Sequence, residues 1–194
     1  GMTPLFMAAQ KGHLGAVQAL INARADLNLA METGRTPLFV AAQKGHSGVV
    51  QALIDARADL NLATEAGATA LFIAAQNGHS GVVQALIDAR ADLNLARNDG
   101  ATPLLMAAQN GYIGAVQALI AAQADLNQAR VDGVAPLLIA VHHGHLGVIQ
   151  ALIGRFEPGD GSRGDAFSRC RAEWPLGRRP GPHRRAGRFE PGLG

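Results

Sequence analysis

One short unit repeats along most of the chain. Its leading glycines recur at a fixed interval, at Gly1, Gly34, Gly67, Gly100 and Gly133. A period of this length is typical of solenoids, in which a unit too small to bury its own apolar side covers that of its neighbour. The sequence therefore predicts a linear array of stacked units.

Each unit is expected to contain two helices and a loop. In the second unit, Thr36 is suited to the N-cap and Pro37 to the first helical position, because the first turn does not use the N–H that proline lacks. Gly45 can end this helix in a left-handed conformation. A second helix is expected to begin near Ser47, and we expect Ser47 and Ser80 to cap the second helices of their units.

Several fixed positions of the unit resemble the ankyrin repeat. In the second unit they are Gly34-x-Thr36-Pro37-Leu38, Ala41-Ala42, Gly45-His46, Val49-Val50, Leu53-Ile54 and Ala58-Asp59-Leu60-Asn61. The resemblance covers residues 1–153. It implies an all-α repeat solenoid of stacked helix-turn-helix units with projecting β-hairpin-like loops. The array would occupy residues 1–154, divided into repeats at 1–33, 34–66, 67–99, 100–132 and 133–154.

Two positions depart from the family pattern. The family's usual histidine after Pro-Leu is replaced by apolar residues, which predicts apolar packing and less rigidly tied loops: Phe6, Phe39, Phe72, Leu105 and Leu138. The family's usual glycine after the second helix is replaced by Arg24, Arg57, Arg90 and Gln123. A left-handed residue other than glycine costs roughly 1 kcal/mol, so we expect moderate stability.

Charge and composition restrict the class of protein. Residues 1–154 carry eight Lys and Arg against ten Asp and Glu, whereas residues 155–194 carry nine Arg against five acidic residues. Aromatic residues make up 4%, which leaves little for stacking on bases and makes nucleic acid an improbable partner of the repeats. Cys170 is the single cysteine and cannot form an internal disulfide. With no apolar run near ~18 residues, we predict a cytoplasmic protein without membrane insertion.

Residues 155–194 form an Arg-, Gly- and Pro-rich tail, for which the composition predicts disorder. The sequence Gly-Arg-Phe-Glu-Pro-Gly begins at Gly154 and again at Gly187, an offset equal to the period of the repeats. One back-translation of the second copy, read from its second base, gives Ala-Asp-Leu-Asn-Leu, the signature of the repeats. Trp174, Phe189 and Glu190 leave little codon freedom. We therefore interpret the tail as ankyrin-coding sequence read one base out of frame.

No residue set predicts catalysis, cofactor binding or a metal site. His13, His46, His79 and His145 occupy equivalent positions of different repeats and are interpreted as structural. The cluster around His142 could take up a metal adventitiously, but no cysteine or carboxylate completes a tetrahedral set. The repeated Asp of Ala-Asp-Leu-Asn occurs once per unit, not as a pair of acid–base carboxylates. The sequence therefore does not predict an enzyme.

The resemblance implies a protein partner bound by the loop tips and the exposed side of the first helices. The positions are Glu32, Arg35, Gln43, Lys44, Glu65, Ala68, Gln76, Asn77, Asn98, Ala101, Gln109, Asn110, His142 and His143. The same positions are equally well interpreted as a solvated face kept by duplication of the unit.

The leading hypothesis is a non-catalytic protein–protein interaction module, a scaffold or adaptor. We expect a monomer with an uncapped apolar face at repeat five, where Val148, Ile149, Leu152 and Ile153 repeat the interior pattern. Two alternatives remain open: a truncated or frame-shifted array without selected function, and nucleic-acid binding through the arginine-rich tail.

Overall fold

The computed structural model describes residues 2–154, and within them it shows ten helices and no strand. Each repeat contributes two helices. The first helices are α1 (Pro4–Lys11), α3 (Pro37–Lys44), α5 (Ala70–Gln76), α7 (Pro103–Gln109) and α9 (Pro136–His142). The second helices are α2 (Leu14–Asn22), α4 (Ser47–Asp55), α6 (Ser80–Asp88), α8 (Ile113–Ala121) and α10 (Leu146–Ile153). The prediction of an all-α repeat solenoid is confirmed.

The helices form two rows with the core between them. First helices pack against first helices of the neighbouring repeats, and second helices against second helices. The core repeats with the sequence, since Val17, Val50, Val83 and Val116 are each fully buried in successive second helices. Helices of this length are not stable in isolation, so the array depends on packing between neighbours.

A threonine caps the start of four of the five first helices. The Thr36 Oγ1 accepts a hydrogen bond from the Phe39 N–H at 3.1 Å, as predicted. Thr3, Thr69 and Thr102 make the same bond. In repeat five the N-cap is Ala135, which has the same extended backbone and no side-chain bond.

The prediction that Ser47 and Ser80 are caps is wrong. Each is the first residue of its helix, and the N-cap positions are His46 and His79, which make no side-chain capping bond. The reason is the tightness of the preceding turn. The Ser47 N–H already donates to the Gly45 carbonyl at 2.9 Å, so only one residue separates the left-handed glycine from the helix.

The helix ends contain the predicted left-handed residues. Gly45 has φ +73° after the first helix of its repeat. After the second helices the left-handed residue is not glycine: Arg24, Arg57, Arg90 and Gln123 all have φ between 59° and 68°. The loops that follow are hairpin-like, since the Thr64 N–H donates to the Ala68 carbonyl at 2.9 Å.

Of the helices in residues 2–154, none has both the length and the apolar character needed to span a membrane. The predictions made for residues 155–194, including the disorder of the tail, fall outside the part of the chain that the structure describes.

We predict that Ala135→Thr stabilises the protein by about 1 kcal/mol, because it supplies the cap that the other four repeats possess. The free energy of unfolding in urea measures the change. Ala135→Val is the matched control, since it has a similar shape but no acceptor. An equal effect of the two substitutions would show that capping is not the cause.

We predict that Arg57→Gly stabilises the protein by about 0.5–1 kcal/mol. Relief of the left-handed strain, worth roughly 1–2 kcal/mol, exceeds the entropic cost of a glycine. Ala56→Gly is the control, because Ala56 has φ −80° and gains nothing. The same urea titration should show destabilisation for this control. A loss of stability in both variants would contradict the prediction.

Candidate partner-binding surface

The structure distributes the predicted surface residues over three environments. Eight of them have exposed side chains: Glu32, Arg35, Lys44, Glu65, Asn98, Asn110, His142 and His143. Four are half-buried: Gln43, Gln76, Asn77 and Gln109. Two are buried, since Ala68 is 8% exposed and Ala101 is 0% exposed. Because both alanines are buried beneath the loops, their side chains offer a partner almost no surface.

The loops of repeats one to three enclose a shallow cavity against the first helices of repeats two and three. Its volume is about 290 Å³. Its lining residues are Thr33, Arg35, Phe39, Thr64, Glu65, Ala66, Ala68, Phe72, Gln76 and Arg97. Four predicted surface residues are thus brought together here, although the alanine among them lines the wall without being exposed.

Two arginines of this cavity lie over aromatic rings. The Arg35 Cζ is 6.0 Å from the centre of the Phe39 ring, and the Arg97 Cζ is 5.6 Å from that of Phe72. A guanidinium placed over the face of an aromatic ring is held there by a cation–π contact. Its N–H groups at the edge can still donate hydrogen bonds. The replacement of the family's histidine by phenylalanine therefore builds part of the cavity floor.

Arg97 is also paired within its own loop. Its Nε donates to the Asp99 Oδ1 at 3.0 Å, and its Nη2 pairs with the other carboxylate oxygen. This hydrogen bond is the main reason that the pKa of Asp99 is lowered to about 2; burial opposes it, and the Ala101 N–H adds to the lowering. Sequence reasoning missed Arg97. The Arg-x-Asp spacing, repeated at Arg130 and Asp132, could have revealed it.

Two asparagines of the predicted surface hold neighbouring repeats together. The Asn77 Nδ2 donates to the Gln43 carbonyl at 3.0 Å, and the Asn110 Nδ2 donates to the Gln76 carbonyl at 2.9 Å. Both carbonyls lie at the end of a first helix, where no helical donor is left for them. Asn77 and Asn110 therefore have a structural role, whatever else they contact.

Three of the repeated histidines have a related role, which confirms the structural interpretation for them. The Nε2 of His79 lies 3.1 Å from the same Gln43 carbonyl, and His46 and His145 make equivalent contacts to the preceding repeat. A carbonyl only accepts, so Nε2 carries the proton. Tyr112 replaces histidine in repeat four, and its ring lies directly over Gly78.

The histidine cluster of repeat five does not converge on a point. The rings of His142 and His143 are 5.0 Å apart and perpendicular, and the Nε2 of His145 is engaged by the Gln109 carbonyl. Within residues 2–154, no three His, Cys, Asp or Glu side chains are arranged to hold a metal ion.

A second concavity of about 470 Å³ lies at the ends of the second helices of repeats two and three. Its charged groups are Asp55 and Arg57, and Asp55 already accepts a hydrogen bond from the Gln51 Nε2 at 2.8 Å. The remaining lining residues are Ile54, Ala58, Leu60 and Ala89. This concavity contains none of the predicted surface residues.

We predict that Asn77→Ala lowers the free energy of unfolding by about 1 kcal/mol, because it removes a hydrogen bond between repeats two and three. Lys44→Ala is the matched control. It changes the equivalent position of repeat two, where the side chain is exposed, and should alter stability by less than about 0.5 kcal/mol. Equal effects in a urea titration would contradict the structural role of Asn77.

We predict that the Asp99 carboxyl titrates at about pH 2 when followed by NMR. Because its folded pKa lies below the usual value of 3.8, the pair contributes stability above that pH and loses it as the pH falls towards about 2. Arg97→Gln should return the midpoint towards 3.8. A midpoint that stays low in this variant would assign the shift to the backbone instead.

Comparison with known proteins agrees with this geometry. A family model described as ankyrin repeats (3 copies) matches residues 1–64 and 56–130. No curated protein matches the chain. Repeat five lies beyond the matched range and has the same two-helix unit. Ankyrin repeats are generally protein–protein interaction modules and are typically non-catalytic. The chain belongs to the ankyrin-repeat family.

Proposed function

We propose that residues 1–154 act as one array of five repeats that binds a protein partner through its loop tips and first helices. The observation that carries the proposal is the cavity between the loops of repeats one to three and the first helices of repeats two and three. Two arginines that lie over phenylalanine rings, a glutamate and a glutamine line this one concave surface. The array would work as a non-catalytic scaffold or adaptor, and its cytoplasmic location stays a prediction from the sequence.

The size of the cavity favours a partner's side chains over a small molecule. Pockets for small molecules usually measure about 300–1,000 Å³ and enclose most of the ligand, whereas this one measures about 290 Å³ and opens between the loops. A volume of this kind accommodates one or two side chains from a partner's loop. The exposed strip on either side would supply the rest of the contact area.

The charges of the cavity indicate what the partner should present. Arg97 is neutralised by Asp99 within its own loop. Arg35 is exposed and has no ion-pair partner among residues 2–154. Its face lies over Phe39, so its N–H edge is suited to bind a carboxylate in a bidentate pair. We therefore propose a partner loop with an acidic side chain placed opposite Arg35.

The revised surface differs from the one predicted from sequence. Arg35, Glu65 and Gln76 form its centre, and Arg97 is added to it. Ala68 and Ala101 are omitted because they are buried, and Asn77, Asn98 and Asn110 because their amides donate to the preceding repeat. The remaining predicted positions form its rim: the exposed Glu32, Lys44, His142 and His143, together with the half-buried Gln43 and Gln109.

We predict that Arg35→Glu and Gln76→Ala each reduce recovery of the specific partner about tenfold in affinity capture with the full chain, measured by quantitative mass spectrometry. Arg35→Glu would remove the ion pair with the partner's acidic side chain. Gln76→Ala would remove a hydrogen-bonding amide from the wall of the cavity.

Matched controls change the same residue types outside the cavity. Arg57→Glu lies at the end of a second helix, and Gln84→Ala lies on the exposed face of α6. Both should retain the partner at the wild-type level. Partners retained by the cavity variants and lost from the controls would contradict the proposed surface.

A further inference from the structure

Only two asparagines of the chain are followed by glycine, Asn77 and Asn110. They lie at the ends of the first helices of repeats three and four. Where glycine follows asparagine, the next backbone nitrogen can attack the side-chain amide, because glycine has no side chain to shield that nitrogen or restrict the chain. The other repeats have lysine or histidine before this glycine, and neither side chain contains an amide.

Both asparagine amides are bound across a junction between repeats. The Asn77 Nδ2 donates to the Gln43 carbonyl at 3.0 Å, and the Asn110 Nδ2 donates to the Gln76 carbonyl at 2.9 Å. Each asparagine follows the last residue of one first helix, and each acceptor lies in the last turn of the preceding one. Because the C-terminal end of a helix carries a partial negative charge, this place suits a donor and disfavours a carboxylate.

The two acceptors differ in how many side chains donate to them. The Gln43 carbonyl also receives the His79 Nε2 at 3.1 Å. Tyr112 stands where repeat four would have this histidine, so among residues 2–154 Asn110 is the only side chain that donates to the Gln76 carbonyl. The junction between repeats three and four therefore depends more on its asparagine than the junction before it.

The backbone at both asparagines keeps the reacting atoms apart. Asn77 has φ −97° and ψ 0°, and Asn110 has φ −92° and ψ 0°. At this ψ the nitrogen of the next residue lies on the side of the residue's own nitrogen and away from its side chain. Both glycine N–H groups also donate to a carbonyl of the preceding helix at 3.3 Å. Attack therefore requires a rotation that opens the helix end and withdraws the amide from the neighbouring repeat.

The next repeat covers both glycines. A Cβ added to Gly78 would lie 2.6 Å from the Tyr112 ring, and one added to Gly111 would lie 2.8 Å from the His145 ring. The rotation thus needs neighbouring repeats to separate locally. A linear array permits this, because each repeat contacts only its neighbours and one junction opens without unfolding of the whole array.

We propose that Asn77 and Asn110 are sites of spontaneous deamidation, which is gated by local opening of their junctions and weakens those junctions permanently. The glycine nitrogen gives up its proton and forms a bond to the asparagine Cγ. The bond from Cγ to Nδ2 breaks, and the side-chain nitrogen leaves as ammonia. Water then opens the resulting succinimide ring at one of its two carbonyls, which yields aspartate or isoaspartate. Water is the only other reactant, and asparagine is known as a thermolabile residue.

The product reverses the character of the contact. An aspartate at position 110 only accepts hydrogen bonds, so it has nothing to donate to the Gln76 carbonyl. Its charge lies beside the C-terminal ends of α5 and α7, where a negative charge is unfavourable. Isoaspartate also adds a carbon to the backbone within the hydrogen-bonded helix end. Each reaction thus makes later openings of the same junction easier, and this effect does not depend on the proposed partner surface.

Peptide mapping of the full chain by mass spectrometry tests the reaction, after incubation at mildly alkaline pH with and without urea. In urea both sites should convert at similar rates, because Ala-Ala-Gln-Asn-Gly surrounds each of them. Without urea both should convert about tenfold or more slowly, because the reaction waits for an opening. The asparagines followed by leucine are internal controls that should stay intact: Asn28, Asn61 and Asn94.

A pair of variants tests the gating. Asn94→Ala removes the bond to the Asp125 N–H across the junction of repeats three and four, so it should raise the rate at Asn110 in the folded chain about fivefold. Asn28→Ala removes the same bond between repeats one and two and should leave that rate at the wild-type value. Equal acceleration by both variants would tie the reaction to unfolding of the whole array and would overturn the gating.

Variants that imitate the product test its consequence. Asn110→Asp should lower the equilibrium constant for folding about tenfold in a urea titration. Asn77→Asp should lower it less, because His79 still donates to the same carbonyl. Asn22→Asp is the matched control, since it adds the same charge at the position where α4 and α6 already have aspartate, and it should have no effect.

Two further results would overturn the proposal. The first is a folded chain in which Asn77 and Asn110 convert no more than Asn28, or as fast as they do in urea. The second is an Asn110→Asp variant as stable as the Asn22→Asp control.

Discussion

The stacking of one repeat on the next is the interaction on which the rest of the structure depends. Two short helices cannot bury an apolar core alone, so the buried valines and leucines of each repeat are covered by its neighbours. The polar groups at the junction fix the register of this packing. Helix-end carbonyls, which a helix cannot satisfy itself, accept hydrogen bonds from histidine or asparagine of the following repeat.

Side chains that form hydrogen bonds across a junction between repeats are not available to bind a partner. Asn77 is committed to the Gln43 carbonyl, whereas Lys44, at the equivalent position of repeat two, is exposed. Residues 41–63 and 74–96 differ only at this position, so the one substitution decides whether the side chain is exposed or bound to the neighbouring repeat. The cavity of repeats one to three arises from differences between the loops, because Arg35 and Arg97 come from loops with different sequences but lie over the equivalent rings of Phe39 and Phe72.

The sequence predicted the helices, their threonine caps and their left-handed ends, because these depend on local residue types at a fixed spacing. It failed where the outcome depends on parts of the chain that only the fold brings together. Ser47 resembles a cap, but His46 occupies the cap position and contacts the preceding repeat. Ala101 resembles a loop-tip residue, but the loop folds it inward to 0% exposure. Arg97 was missed because its role depends on its contact with the Phe72 ring. The two residues lie near opposite ends of the same repeat in the sequence, and only the fold places the guanidinium over the ring.

The central claim is that a repeat is held by its neighbour more than by its own contacts, and two histidines test it directly. His79 and His13 occupy equivalent positions of their own repeats, but of the two only His79 contacts another repeat within residues 2–154, where the Gln43 backbone carbonyl lies 3.1 Å from its Nε2. The measurement is the free energy of unfolding in urea at low protein concentration. The account predicts a loss of about 1–2 kcal/mol for His79→Ala and less than about 0.5 kcal/mol for His13→Ala. Equal losses in the two variants would contradict it.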